Sequence, residues 1–142
     1  MIPFIGIHLR LHHVGFVVAS IEASMPGFLR SLGATWNSEI FVDPIQKVKV
    51  VFLATRQEDT RIELVEPNAD DAPVLKFLKQ HGGGLHHLCY EVEDLEGALQ
   101  AMRSRGAFLA KRPQPAVAFG GRRIAWILTA EKLLVEMLEV ET

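Results

Sequence analysis

Apolar residues recur along the chain in short runs parted by glycines, prolines and polar turns, and the runs form two similar series. Leu11 to Ala19, rich in valine and phenylalanine, predicts a strand. Ser20 stands where it can cap a helix across Ile21 to Leu32, which Gly33 ends. Pro26 would cost about 3 kcal/mol inside a helix, so the pattern favours a helix that begins near Met25 with the proline in its first turn. Trp36 to Val42 reads as a short strand closed by Asp43-Pro44. Gln46 to Ala54 and Thr60 to Glu66 read as a hairpin joined by the polar turn Thr55 to Asp59.

After Pro67, a helix is expected from Ala72 to Gln80. Caps are offered by Asn68 to Asp71, Pro73 falls in the first turn, and Val74, Leu75, Phe77 and Leu78 mark one buried face. Gly82-Gly83-Gly84 breaks it. The second series then runs through a strand Leu85 to Val92, a helix Leu95 to Arg105 begun at Asp94 and stopped by Gly106, and a strand Ala107 to Lys111. A proline-rich loop Arg112 to Ala116, a turn Phe119 to Arg123 and strands Ile124 to Leu128 and Leu133 to Val140 complete it. Both series are βαβββ. The reading is one α+β domain over residues 1–142, composed of module 10–67, a connector helix segment 68–84 and module 85–141.

The repetition extends to polar residues. Leu11-His12-His13-Val14 returns as Leu85-His86-His87-Leu88, an offset of 74, and Ile62-Glu63-Leu64 returns as Val135-Glu136-Met137, an offset of 73. Duplication of a fold would preserve apolar residues. It does not account for a glutamate recurring on an apolar strand, where an unpaired charge is costly. Packed about a pseudo-twofold axis, the two copies would bring His13, Glu63, His87 and Glu136 together, a donor set suited to a divalent transition metal. Because strand side chains alternate, His12 and His86 are expected on the opposite face as structural neighbours.

Composition narrows the partners. The 142 residues carry a net charge of −2 with a pI near 6.3, which gives no global field for nucleic acid or anionic membrane. No apolar run of about 18 residues predicts a spanning helix. The single cysteine, Cys89, excludes an internal disulfide. Met1 to Leu11 lacks the basic start and cleavage site of a signal peptide, so a cytoplasmic location is the default expectation.

From about Arg10 to Glu141 the chain resembles the vicinal oxygen chelate superfamily, which includes glyoxalases, bleomycin-resistance proteins and dioxygenases, and within it the methylmalonyl-CoA epimerase family. The resemblance rests on His12-His13-Val14-Gly15, Ile62-Glu63-Leu64-Val65-Glu66-Pro67, Phe77-Leu78 with Gly82-Gly83-Gly84-Leu85-His86-His87, and Leu134-Val135-Glu136-Met137-Leu138. It implies paired modules forming a cupped mixed sheet, with His13, Glu63, His87 and Glu136 on one divalent metal ion such as Co, Zn, Ni or Mn. It also implies an epimerase or isomerase that shifts a proton alpha to an acyl thioester, with Glu136 and then Glu63 as catalytic bases, in a homodimer. A glyoxalase I-like lyase on a thiol adduct and a metal-free binding protein of the bleomycin-resistance type are the alternatives. Gln46 aligns with a residue at the cup edge in the epimerases. Some bacterial members place a glutamate where Val50 stands here, and the family's His-Pro after the penultimate strand is replaced by Thr129-Ala130. Three further residues are candidates for substrate contact: Cys89, which shares the face of His87 but is more simply a buried thiol, and Arg122 and Arg123, whose guanidiniums suit a carboxylate or phosphates.

Overall fold

A computed structural model describes residues 9–55 and 60–140. The termini of the expected domain and most of the expected turn Thr55 to Asp59 lie outside the described residues. Nine strands and three helices follow in the order β1 (Arg10–Val17), α1 (Ile21–Leu32), β2 (Trp36–Asn37), β3 (Phe41–Asp43), β4 (Val48–Ala54), β5 (Arg61–Pro67), α2 (Pro73–His81), β6 (Gly84–Val92), α3 (Leu95–Ser104), β7 (Phe108–Pro115), β8 (Arg123–Leu128) and β9 (Leu134–Glu139). They form one open mixed sheet in the order β2-β4-β5-β1-β6-β9-β8-β7, with β3 also paired to β4. β1 and β6 are antiparallel at its centre, and each has a parallel partner outside it, β5 and β9 respectively. The two halves of the sheet are thus related by an approximate twofold between β1 and β6.

Alternation along the strands separates two apolar layers. On one face Val51, Leu53 and Leu64 pack with Ile21 beneath α1, and Val135, Met137, Ala125 and Ile127 pack with Leu95, Ala98 and Leu99 of α3. The other face carries Val48, Val50, Phe52 and Val65, covered by Val74, Phe77 and Leu78 of α2 and by Phe119. Phe119 closes a 3-10 turn, Val117–Phe119, which contacts β3 and so links the second half to the first.

Four expectations need correction. Helix α1 begins at Ile21, where Ser20 accepts a hydrogen bond from the Ala23 amide, and it carries Pro26 in its interior. Pro26 and Glu22 are both exposed, so water can take the Glu22 carbonyl that the proline leaves without a donor. The expected strand Trp36 to Val42 is two short pieces. Helix α2 has Ala72 at its N-cap with no side-chain cap, so Asn68 to Asp71 do not cap it. The expected loop Arg112 to Ala116 is largely strand: β7 continues through Pro113 and Pro115. Among the described residues it is an edge strand paired only with β8, with register shifts on both sides of Lys111, and such a strand tolerates residues that cannot donate to a ladder.

Candidate metal centre

The sheet register assembles the centre from two matching rows. Across the first, Phe52 pairs with Glu63, Glu63 with Gly15 and Gly15 with His87. Across the second, Trp126 pairs with Glu136, Glu136 with Cys89 and Cys89 with His13. Each row therefore carries a glutamate from its own half and a histidine from the other. A Cβ at Gly15 would lie 2.1 Å from Cε1 of His87, so the missing side chain is the space in which that imidazole sits. Cys89 holds the corresponding place beside His13.

All four expected ligands meet. Nε2 of His13 and Nε2 of His87 are 3.1 Å apart. Oε1 of Glu63 lies 3.4 Å and 3.2 Å from these two nitrogens, and Oε1 of Glu136 lies 3.1 Å and 3.5 Å from them. None of the four residues is more than 5 % exposed. Burial opposes charge on His13, but Glu63, then Cys89 and Glu136, outweigh it and hold its pKa well above the ordinary range; His87 is raised by Glu136 and Glu63 against the same burial. Burial also opposes charge on both carboxylates, and the two imidazoles reverse that, lowering the pKa of Glu63 and holding Glu136 well below the usual carboxylate range.

The donors fit one small divalent cation. The nitrogen–nitrogen and nitrogen–oxygen separations of 3.1 to 3.5 Å are close to the donor–donor spacing around an ion held at about 2.0–2.1 Å, and all four donor atoms lie within 4.8 Å of one another. Among the described residues, buried Glu136 Oε1 has no hydrogen-bond donor, although His13 Nε2 lies 3.1 Å away. A cation satisfies both this oxygen and the nitrogen lone pairs that converge beside it.

The two neighbouring histidines are not on the far face. Pairing of β1 with β6 steps from Leu11↔Tyr90 to His13↔Cys89, leaving His12 extra, and from Gly15↔His87 to Phe16↔Leu85, leaving His86 extra. Each extra residue is a β-bulge, which breaks the alternation and brings two consecutive side chains together. Nδ1 of His12 lies 2.8 Å from Nδ1 of His13, and Nδ1 of His86 lies 2.9 Å from Nδ1 of His87. Desolvation first, then the adjacent His13 or His87, lowers the pKa of His12 and of His86 to about 4, so both are neutral at pH 7.

A cavity of about 310 Å³ opens over the centre, floored by Glu63, His87 and Glu136 and walled largely by apolar residues that include Val48, Val50 and Val65. Its polar rim was only partly expected. Gln46 lines it, fixed by buried Asp43, whose Oδ1 accepts the amides of Ile45 and Gln46 at 2.9 and 3.0 Å. Lys111 donates to Gln46 Oε1 at 3.3 Å, which joins the two halves across the opening. Gln46 Nε2 and Trp126 Nε1 are buried donors without a partner among the described residues. Asp43, Lys111, Trp126 and His86 line the cavity without having been expected there; none carries a local sequence signal beyond its residue type.

Three expected contacts fall elsewhere. Cys89 is fully buried behind the centre rather than lining the cavity, and burial raises its thiol pKa far enough to keep it protonated. Arg122 and Arg123 do not line the cavity. Arg122 lies over Phe119 and pairs with Glu91, while Arg123 bridges Glu96 and Glu139, so their guanidiniums are engaged by carboxylates of the chain itself.

With this geometry in place, similarity to known proteins becomes informative. Residues 12–126 match the glyoxalase/bleomycin resistance protein/dioxygenase superfamily. An ethylmalonyl-CoA/methylmalonyl-CoA epimerase of Cereibacter sphaeroides is 31% identical over 119 residues, covering 83% of this chain and 87% of that protein. The crystal structure of methylmalonyl-CoA epimerase from Mycobacterium tuberculosis superposes with a TM-score of 0.82 at 26% identity, covering 94% of this chain and 89% of that one. A Streptomyces coelicolor methylmalonyl-CoA epimerase variant in complex with 2-nitronate-propionyl-CoA shares the fold, with a TM-score of 0.78 at 22% identity over 94% of this chain and 98% of its own.

Proposed function

The chain belongs to the glyoxalase/bleomycin resistance protein/dioxygenase superfamily, and from that premise we propose that it is a metal-dependent isomerase that epimerises the carbon alpha to an acyl thioester, as its methylmalonyl-CoA epimerase relatives do by name. The observation that carries the reading is the buried His13, Glu63, His87 and Glu136 cluster on the floor of an apolar cavity. A metal-free binding protein would have no use for four converging donors in so dry a place.

His13, Glu63, His87 and Glu136 would hold the ion, which when bound would supply Lewis-acid stabilisation of negative charge developing on a substrate oxygen. The residues around it do the rest. Glu136 and Glu63 stand on β9 and β5, one on each side of the central strand pair. Glu136 takes the alpha proton on one side, while Glu63, having first taken a proton from solvent, returns it to the opposite face; Glu136 then releases the abstracted proton to solvent. Gln46 Nε2 and Trp126 Nε1 donate to oxygens of the acyl group. The valine wall excludes water. Val50 offers no carboxylate there, and Asp43 and Lys111 stand at the rim beside Gln46, so the two glutamates on the floor are the candidate acid and base. The ion is Co, Zn, Ni or Mn, and the working protein is a cytoplasmic homodimer.

The test is a pair of measurements: metal content of protein purified without added metal, and deuterium uptake at the alpha carbon of methylmalonyl-CoA in D2O. Metal together with exchange is expected. Metal without exchange on this substrate removes the epimerase and leaves a lyase on a thiol adduct as the next reaction to assay. Protein that neither contains nor takes up a divalent metal overturns the reading.

A further inference from the structure

Two imidazole nitrogens 2.8 Å apart repel unless a proton lies between them, so each close Nδ1 pair, His12 with His13 and His86 with His87, shares one hydrogen. Which ring donates is fixed by what the other nitrogen of His13 or His87 does. Both Nε2 atoms point into the cluster with the carboxylates, and an Nε2 that binds a cation carries no proton. The hydrogen then resides on Nδ1 of His13 and of His87, and Nδ1 of His12 and of His86 receives it. The arrangement is built twice, on different strands, each time by a one-residue bulge that turns the extra histidine toward its neighbour. Other rings wedge the extra histidines in place: His12 lies edge-on to Phe52 and Phe119, and His86 edge-on to Phe77 and Trp126.

We infer that His12 and His86 are positioning residues for the metal centre, each accepting the Nδ1–H of the adjacent ligand histidine and so fixing the tautomer and ring orientation that present Nε2 to a divalent ion. This rests on the metal reading above. A hydrogen-bond acceptor behind a metal-bound imidazole also raises its basicity and affinity, and loss of such a partner commonly weakens binding about 10- to 100-fold.

The direct test uses protein with 15N-labelled imidazoles loaded with Zn²⁺. His13 and His87 should carry their proton on Nδ1, with nitrogen–nitrogen coupling through the hydrogen bond to His12 and His86. A second measurement uses His12→Phe and His86→Phe, which keep an aromatic ring in each wedge and remove the acceptor. Zn²⁺ affinity, read by chelator competition, should fall about 10- to 100-fold in each. His12→Asn and His86→Asn, whose amide oxygens can accept, should recover part of the loss. Affinity within threefold of the original in a Phe variant, or an unprotonated Nδ1 on His13 or His87 in the zinc form, overturns the inference for that half. If the Phe variants fail to fold, the spectrum of the unsubstituted protein decides. Failure of the unsubstituted protein to bind Zn²⁺, Co²⁺, Ni²⁺ or Mn²⁺ is the different result that removes the metal centre itself.

Discussion

A methyl group at Gly15 would meet Cε1, Nδ1 and Nε2 of His87 at 2.1 to 2.5 Å, so Gly15→Ala must push the imidazole out of the cluster. The expected outcome is a folded protein that retains little metal after dialysis, checked by elemental analysis beside a circular dichroism melt. Glu136→Ala should lose metal and activity, whereas Glu139→Ala, which breaks a partly exposed pair with Arg123, should keep both with little change in stability. The metal-free protein should also show a pH signature. Folded His13 and His87 keep protons above the unfolded-state pKa of 6.5, so the native state binds more protons than the unfolded one, and stability falls as pH rises from there through the folded values. The slope is about 1.4 kcal/mol per pH unit for each retained proton, readable in urea melts between pH 6.5 and 9. Metal binding, which needs the imidazoles neutral, should strengthen over the same interval. The clustering of His13, Glu63, His87 and Glu136 was legible because polar residues at matched offsets on apolar strands have no packing rationale. His12 and His86 were misread because alternation holds only while the ladder is unbroken, and nothing in Leu-His-His marks a bulge.

At the scale of elements, most strands and helices were legible because period and caps agree. Ser20→Ala should cost about 1 kcal/mol by removing the acceptor for the Ala23 amide, measurable as a lower urea midpoint. Misreadings came where proline was weighed by local rules alone. Pro26 is tolerated in α1 because it lies on the wet side of a helix whose other side covers Val51, Leu53 and Leu64. Pro113 and Pro115 are tolerated in β7 because an edge strand has a free side. Both outcomes depend on which elements are neighbours, which composition does not state. Lys111 shows the same limit: its meeting with Gln46 follows from how β7 and the β3–β4 turn come together, 65 residues apart in sequence.

For the whole molecule, the parallel pairs β1–β5 and β6–β9 and the antiparallel seam between β1 and β6 place the centre where the two halves join. Any ion that binds only the folded state adds stability by mass action, about 2.7 kcal/mol at one hundred times its Kd. Addition of the cognate metal to stripped protein should therefore raise the melting temperature by several degrees, and EDTA should reverse it. The arrangement of one histidine and one glutamate from each half has another consequence. Residues 10–67 alone present two donors, as do residues 85–140, and two donors hold a first-row ion poorly. High-affinity uptake of metal thus becomes a report on assembly: a chain still waiting for its second half, or a truncated one, stays empty, and the ion is captured only when both halves have docked.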